Sequence, residues 1–153
     1  MTSCLAAAVP GRTLLDPRSF SRFSRRLAAE HRLTHDDAEA IMSDALAFLA
    51  ACATNTGTPL SPSPRVDWGW HLFLLHTHDY AEFCQRIAGR FLHHVPTENA
   101  DDGIDASVAL ARTVAAIHAA GYTTDRALWS APAMACSGCQ NGCHDDPPPD
   151  SVM

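Results

Sequence analysis

Toward the end of the chain the sequence reads CSGCQNGCH, which sets Cys136, Cys139, Cys143 and His144 within nine residues. A C-x-x-C turn lets two thiolates face one cation because the backbone between them bends sharply, and Gly138 and Gly142 permit that bend. Three thiolates and an imidazole form a full tetrahedral set for zinc. The same soft sulfurs suit copper in its cuprous state. An iron–sulfur cluster would need a fourth ligand from elsewhere, which places iron behind zinc or copper. The competing reading is an exposed redox-labile segment or a Cys136–Cys139 disulfide; in a reducing compartment clustered cysteines favour metal binding or redox chemistry. Adjacent Cys143 and His144 are awkward partners for one ion, so an upstream histidine is the alternative to His144.

A second cluster sits upstream. Residues 70–80 read WHLFLLHTHDY, and with His93 and His94 this region holds five of the nine histidines. Neutral imidazole offers a lone pair to a metal. On one helix His71 and His78 would lie about 20° off the same line but roughly 10.5 Å apart along the axis. His76 would lie about 140° round from His71. A continuous helix therefore cannot gather all five. A break near Thr77 would bring His71, His76 and His78 closer. The most economical site then takes His71, one or both of His76 and His78, and one of His93 and His94, with Asp79 or Glu82 adding a carboxylate. Against this, a histidine among aromatics is commonly a half-buried core residue, and paired histidines ahead of Val95-Pro96 suit a helix C-terminus. Trp68, Trp70 and Tyr80 read as core packing with satisfied polar tips, or as a wall that keeps water from a metal.

The elements that must position these residues are helical. Asp16-Pro17 is an N-cap and first-turn pair opening a helix through about Leu33, with Phe20, Phe23 and Leu27 on its buried stripe. Thr34 and Asp37 resemble a capping box for a second helix, whose stripe runs through Ile41, Met42, Ala45, Leu46, Phe48, Leu49 and Cys52. Cys52 and Cys84 read as small hydrophobes. Gly57, Pro59, Pro62 and Pro64 impose a loop. Ser63-Pro64 starts a third helix expected to run from about Val66 to Phe91, unless Thr77 caps a separate segment. Asp105 caps a further helix with Ile104, Val108, Ala111, Ala115 and His118 on one face, closed by Gly121, and Thr124 is read as the cap of one more turn carrying Leu128 and Trp129. The expected fold is all-α, a compact bundle of four to five helices. The expected organisation is a flexible N-terminus over 1–15, a helical domain over 16–131, a Cys/His metal-binding segment over 132–144 and a disordered acidic tail over 145–153.

Composition narrows the function. The 153 residues suffice for one domain, and a net charge of −6 argues against nucleic acid as a partner. All 11 basic residues are arginine, a usage expected of a GC-rich bacterial genome. With no apolar run long enough to cross a bilayer and no basic n-region at the start, a cytoplasmic protein without membrane contact is expected. Arg18, Arg22, Arg25 and Arg26 form a basic face on the first helix, which is a solvated surface or a dock for an acidic protein partner. Motifs for acyl transfer, nucleotide binding and zinc proteolysis are missing.

Residues 61–96 carry Val66, Asp67, Trp70 and His71 in a D-x-x-W-H tract that resembles the glycine-rich-domain-containing-protein-like family and its bacterial relatives. The resemblance implies that Asp67, Trp70 and His71 act as one unit, a helix start with an indole packed on an imidazole. The tract departs where members often continue W-H-x-H, since Phe73 stands at that place here. The leading expectation is a small metal-binding protein using the Cys/His cluster with zinc or copper. A metalloenzyme of iron, copper or zinc centred on His71 and a metal-free interaction module are the alternatives.

Overall fold

The computed structural model describes residues 6–95 and 106–130 of the chain. Among them are five α-helices: α1 (Pro17–His31), α2 (His35–Thr54), α3 (Pro64–Leu75), α4 (Thr77–Ala88) and α5 (Ala106–Ala119). Short 3₁₀ turns lie at Gly11–Leu14 and Arg126–Leu128. The all-α expectation holds. The Cys/His segment and the acidic tail fall outside the described residues.

The helix starts follow the capping chemistry. Asp16 accepts a hydrogen bond from the Ser19 N–H at 2.9 Å, Thr34 from that of Asp37 at 3.1 Å, and Ser63 from that of Val66 at 3.4 Å. Each satisfies a donor that a helix start otherwise leaves unpaired. Phe20, Phe23 and Leu27 of α1 are buried as their spacing predicts. α2 is buried almost all round, because α1, α3, α4, α5 and the first 3₁₀ turn all pack against it. Its alanines let the neighbours approach closely. A Cβ added at Gly69 of α3 would come within 2.9 Å of the Ala45 Cβ, and one at Gly11 within 2.1 Å of the Ser43 carbonyl oxygen. Only glycine permits either contact. The flexible segment expected through residue 15 therefore meets, at Gly11–Leu14, a turn seated directly on the central helix.

The third helix departs from its expected span. It is two helices with the break at His76 (φ −92°, ψ 68°), and Thr77 is the first residue of α4 instead of its cap. The imidazole is the reason. His76 Nδ1 lies 3.0 Å from the Leu72 carbonyl oxygen, the acceptor that its own backbone N–H would use in an α-helix, and that N–H shifts to Phe73 at 3.0 Å. α4 then ends at Ala88 and not near Phe91, because Gly89 takes a left-handed conformation (φ 65°).

The buried residues of α5 are Leu110, Thr113 and Ile117, while Val108, Ala111, Ala115 and His118 share the exposed face; Ile104 and the expected cap Asp105 lie outside the described residues. α5 is apolar around most of its circumference, and its pattern leaves the inward side undetermined. Its end was readable. Gly121 (φ 92°) completes a C-terminal motif in which Tyr122 N–H bonds Ile117 at 3.1 Å and Gly121 N–H bonds His118 at 3.0 Å.

The C-terminal turn is tied to α2 by one carboxylate. Oδ2 of Asp44, 4% exposed, accepts from the Asp125 N–H and from Trp129 Nε1, both at 2.8 Å. Burial pushes its pKa up to about 6, and the two N–H donors oppose that rise. Above pH 6 the folded chain holds a charge that burial disfavours. As pH falls through 6 it takes up a proton that the unfolded chain accepts only near 3.8. Stability attributable to Asp44 therefore rises as pH falls from 7 to 4, by up to roughly 1.4 kcal/mol per pH unit. Asp44→Asn should flatten this dependence: the wild-type stability minus that of the variant, from urea unfolding, should grow toward pH 4. A difference independent of pH would show that Asp44 does not titrate in this window.

Candidate metal centre

Asp67 and His71 lie one turn apart on α3, and so share one side of it. Gly69 lies between them in sequence and points the opposite way, into α2. The contact that seats α3 on the core thus turns Asp67 and His71 outward. His94 arrives from the stretch after α4. Its Nε2 is 2.8 Å from Asp67 Oδ1, and His71 Nδ1 is 3.3 Å from Asp67 Oδ2. The His94 contact is a hydrogen bond, and a carboxylate only accepts, so Nε2 of His94 carries the proton in this arrangement. The two imidazoles stack with centroids 4.4 Å apart. Ligand atoms of the three side chains all lie within 4.8 Å of one another. His94 is mostly buried, Asp67 is partly covered, and His71 is 56% exposed, so the group opens to solvent on one side.

A buried hydroxyl holds this geometry. Tyr80 of α4 accepts from Trp70 Nε1 at 2.9 Å and donates to the Leu92 carbonyl, two residues before His94. Burial pushes its pKa up, which keeps the hydroxyl a donor. Trp70, fixed in this way, packs its ring on His94 with centroids 4.2 Å apart. The indole therefore rests on His94, where the sequence resemblance implied a unit of Asp67, Trp70 and His71.

The other histidines go elsewhere. His76 sits edge-on against Phe23 at 4.8 Å, His93 lies against Phe91 at 4.8 Å, and His78 is exposed on α4. Asp79 pairs with Arg22 at 2.9 Å. Glu82 lines a separate cavity of about 440 Å³ beside α1. Of the four arginines on α1, Arg22 is thus engaged, and Arg18, Arg25 and Arg26 are exposed. Cys136, Cys139, Cys143 and His144 lie outside the described residues. Cys84 is buried, and burial pushes the partly covered Cys52 thiol up to about 12, so Cys52 remains a thiol at neutral pH. Phe73 is fully buried against the rings of Phe23, Tyr80 and Phe83, at centroid distances of 5.1 to 5.2 Å. A second histidine of a W-H-x-H tract would therefore point into the core, not toward His71.

Asp67 is the member of this group that histidine spacing alone misses. The available signal was its four-residue separation from His71, which puts both on one helix face.

A groove of about 780 Å³ opens beside the triad. Its wall is the loop between α2 and α3, pinned to α5 by the Ser61 N–H to Thr113 hydroxyl bond at 3.1 Å. Its floor includes Phe48, Trp70 and Leu92.

The model of one protein family, UCP032817-like, matches residues 13–120 of the chain. The matched span contains Asp67, His71 and His94 and stops short of the cysteine cluster. No curated protein and no solved structure matches the chain.

Tyr80→Phe removes the hydroxyl and leaves the Trp70 N–H and the Leu92 carbonyl without this partner. It should lower stability by about 2 kcal/mol and shift the ring NMR signals of His94 far more than those of His118. Unmoved His94 signals would show that Tyr80 does not position that ring.

Proposed function

The chain belongs to the UCP032817-like family, and for this member we propose a metal-binding role in which Asp67, His71 and His94 hold one divalent transition-metal ion. The observation that carries this reading is the convergence of one carboxylate and two imidazoles, from segments more than twenty residues apart, with ligand atoms within 4.8 Å. Nitrogen and oxygen donors about 2.0–2.2 Å from a tetrahedral zinc ion stand about 3.3 Å from each other. The present contacts of 2.8 and 3.3 Å are already near that spacing. The cation would take the place of the proton between His94 and Asp67, with the ring keeping its proton on the other nitrogen.

Two imidazoles and a carboxylate suit zinc or ferrous iron, and the lack of sulfur in the triad makes it a poor place for cuprous copper. Three protein ligands leave a coordination position open, and here the open side adjoins the groove. That observation favours the second reading, a small metalloenzyme in which the ion acts on a bound molecule as a Lewis acid or redox centre. Cys136, Cys139, Cys143 and His144 remain proposed as a separate zinc or copper element. Docking of an acidic protein partner on Arg18, Arg25 and Arg26 is likewise a proposal. The likeness of residues 61–96 to the glycine-rich-domain-containing-protein-like family is retained on the same footing.

The two metal elements separate by substitution in the full chain. A variant carrying Cys136→Ser, Cys139→Ser and Cys143→Ser should still bind one zinc or cobalt ion per chain, measured by calorimetry and elemental analysis. Adding Asp67→Asn or His94→Ala to it should weaken that binding about 100-fold or more, whereas adding His78→Ala should not. Loss of all metal in the triple cysteine variant would remove the triad from consideration and return the role to the cysteine segment.

A further inference from the structure

The groove beside the triad has an order that specifies a kind of ligand. Arg90 stands at one end, where its guanidinium reaches the Cys52 carbonyl at 3.4 Å. Phe48 lies one turn before Cys52 on α2, its ring is 5.3 Å from that of Trp70, and Trp70 is 4.2 Å from His94. The path from Arg90 to the triad runs for a distance on the order of 10 Å above this layer, in which Phe48 is fully buried and Trp70 presents only an edge. Leu60 and Leu92 add apolar surface beside it.

Charge selects the sign of the occupant. The whole chain carries −6, yet Asp67 is the only acidic residue among those lining the groove, which also include Arg90, His71, His93 and His94. Asp67 is already committed to the two imidazoles. The cavity beside α1 has the reverse balance, with Asp16, Asp79 and Glu82 against Arg86. Arg90 has no carboxylate partner among the described residues, and its planar fork matches a carboxylate. The wall is held in place before any ligand arrives, by Thr113 on Ser61 and by Arg112 on the Pro59 carbonyl at 3.4 Å.

We propose that this groove binds a small elongated organic acid, with its carboxylate on Arg90, its apolar middle along Leu60 and the edge of Trp70, and an oxygen donor at the far end facing the cation at Asp67, His71 and His94. The inference deepens the metal-binding reading and rests on it. It gives the open coordination position a ligand class.

The test uses full-length protein with the three C-terminal cysteines replaced by serine and loaded with cobalt. Cobalt content is measured first, and then suberate is titrated while the visible cobalt spectrum and the heat of binding are followed. Suberate should bind and alter the spectrum, and 1,8-diaminooctane, of similar length and opposite charge, should not. Arg90→Gln should weaken suberate binding about tenfold or more with cobalt content unchanged. Cobalt bound but suberate ignored, or suberate affinity within about twofold of the parent in Arg90→Gln, would overturn the ligand assignment and leave the metal site standing. Failure of the parent protein to take up cobalt would instead overturn the metal reading, and this inference with it.

Discussion

The Tyr80 hydroxyl is the constraint on which the candidate site depends. A buried phenol must find partners, because an unpaired polar group in the core costs on the order of 1–3 kcal/mol. Tyr80 finds two, and they belong to different segments: the indole of α3 and the backbone just ahead of His94. Satisfying one hydroxyl therefore fixes the separation between α3 and the chain leaving α4. His94 can meet Asp67 only at that separation. The break at His76 makes this possible, since α4 must turn back for Tyr80 to reach a residue ten positions earlier. The imidazole of His76 thus shapes the site by competing for a backbone carbonyl, and it does so without joining the triad.

The central helix supplies the second condition. α2 is lined by small residues where others cross it, so α3 and the first 3₁₀ turn approach to distances only glycine allows. Close packing of this kind transmits position well, because dense interiors yield little. Asp67 and His71 inherit their direction from Gly69, whose missing side chain lets the opposite face of α3 lie flat on Ala45. Asp44 draws on the same helix for a different end. It spends the free energy of a buried carboxylate to fix the Asp125–Trp129 turn, and that expenditure makes the tie sensitive to pH.

Much of this was legible in the sequence wherever one local rule governed. Asp16, Thr34 and Ser63 announce helix starts because a short oxygen side chain has one main use at that place. The stripe of α1 is readable because its polar and apolar sides differ sharply. α5 gave no such contrast, and its inward face was set by what it met, with Thr113 turned in toward Ser61. The histidines illustrate the same limit. Spacing along one helix excluded a five-histidine site, and it offered His71 with one of His93 and His94. It did not distinguish the members of that pair, since the choice depends on Tyr80 holding Leu92. Nor did it elevate Asp67, because the carboxylate acts through a residue more than twenty positions away. A break near Thr77 was foreseeable from the histidine-rich sequence, but its consequence was to separate His76 and His78 from His71, not to gather them.

The triad's two descriptions, a His–Asp–His group tied by the His94–Asp67 hydrogen bond and a candidate metal site, share one physical basis. A carboxylate bonded to one imidazole and set against a second has its orientation and theirs partly fixed by folding. The cost of ordering side chains usually opposes cation capture, so an ion entering here meets ligands whose ordering was begun by folding. The same ordering without an ion would leave one half-exposed imidazole whose second nitrogen faces outward. What distinguishes this group from a surface ion pair is the shielding on one side only: Trp70 covers His94, while His71 stays open to the groove. A purely structural network gains from being closed on every side, where competing water is excluded. A site that must exchange ligands needs one face open, and the asymmetry between His94 and His71 supplies it.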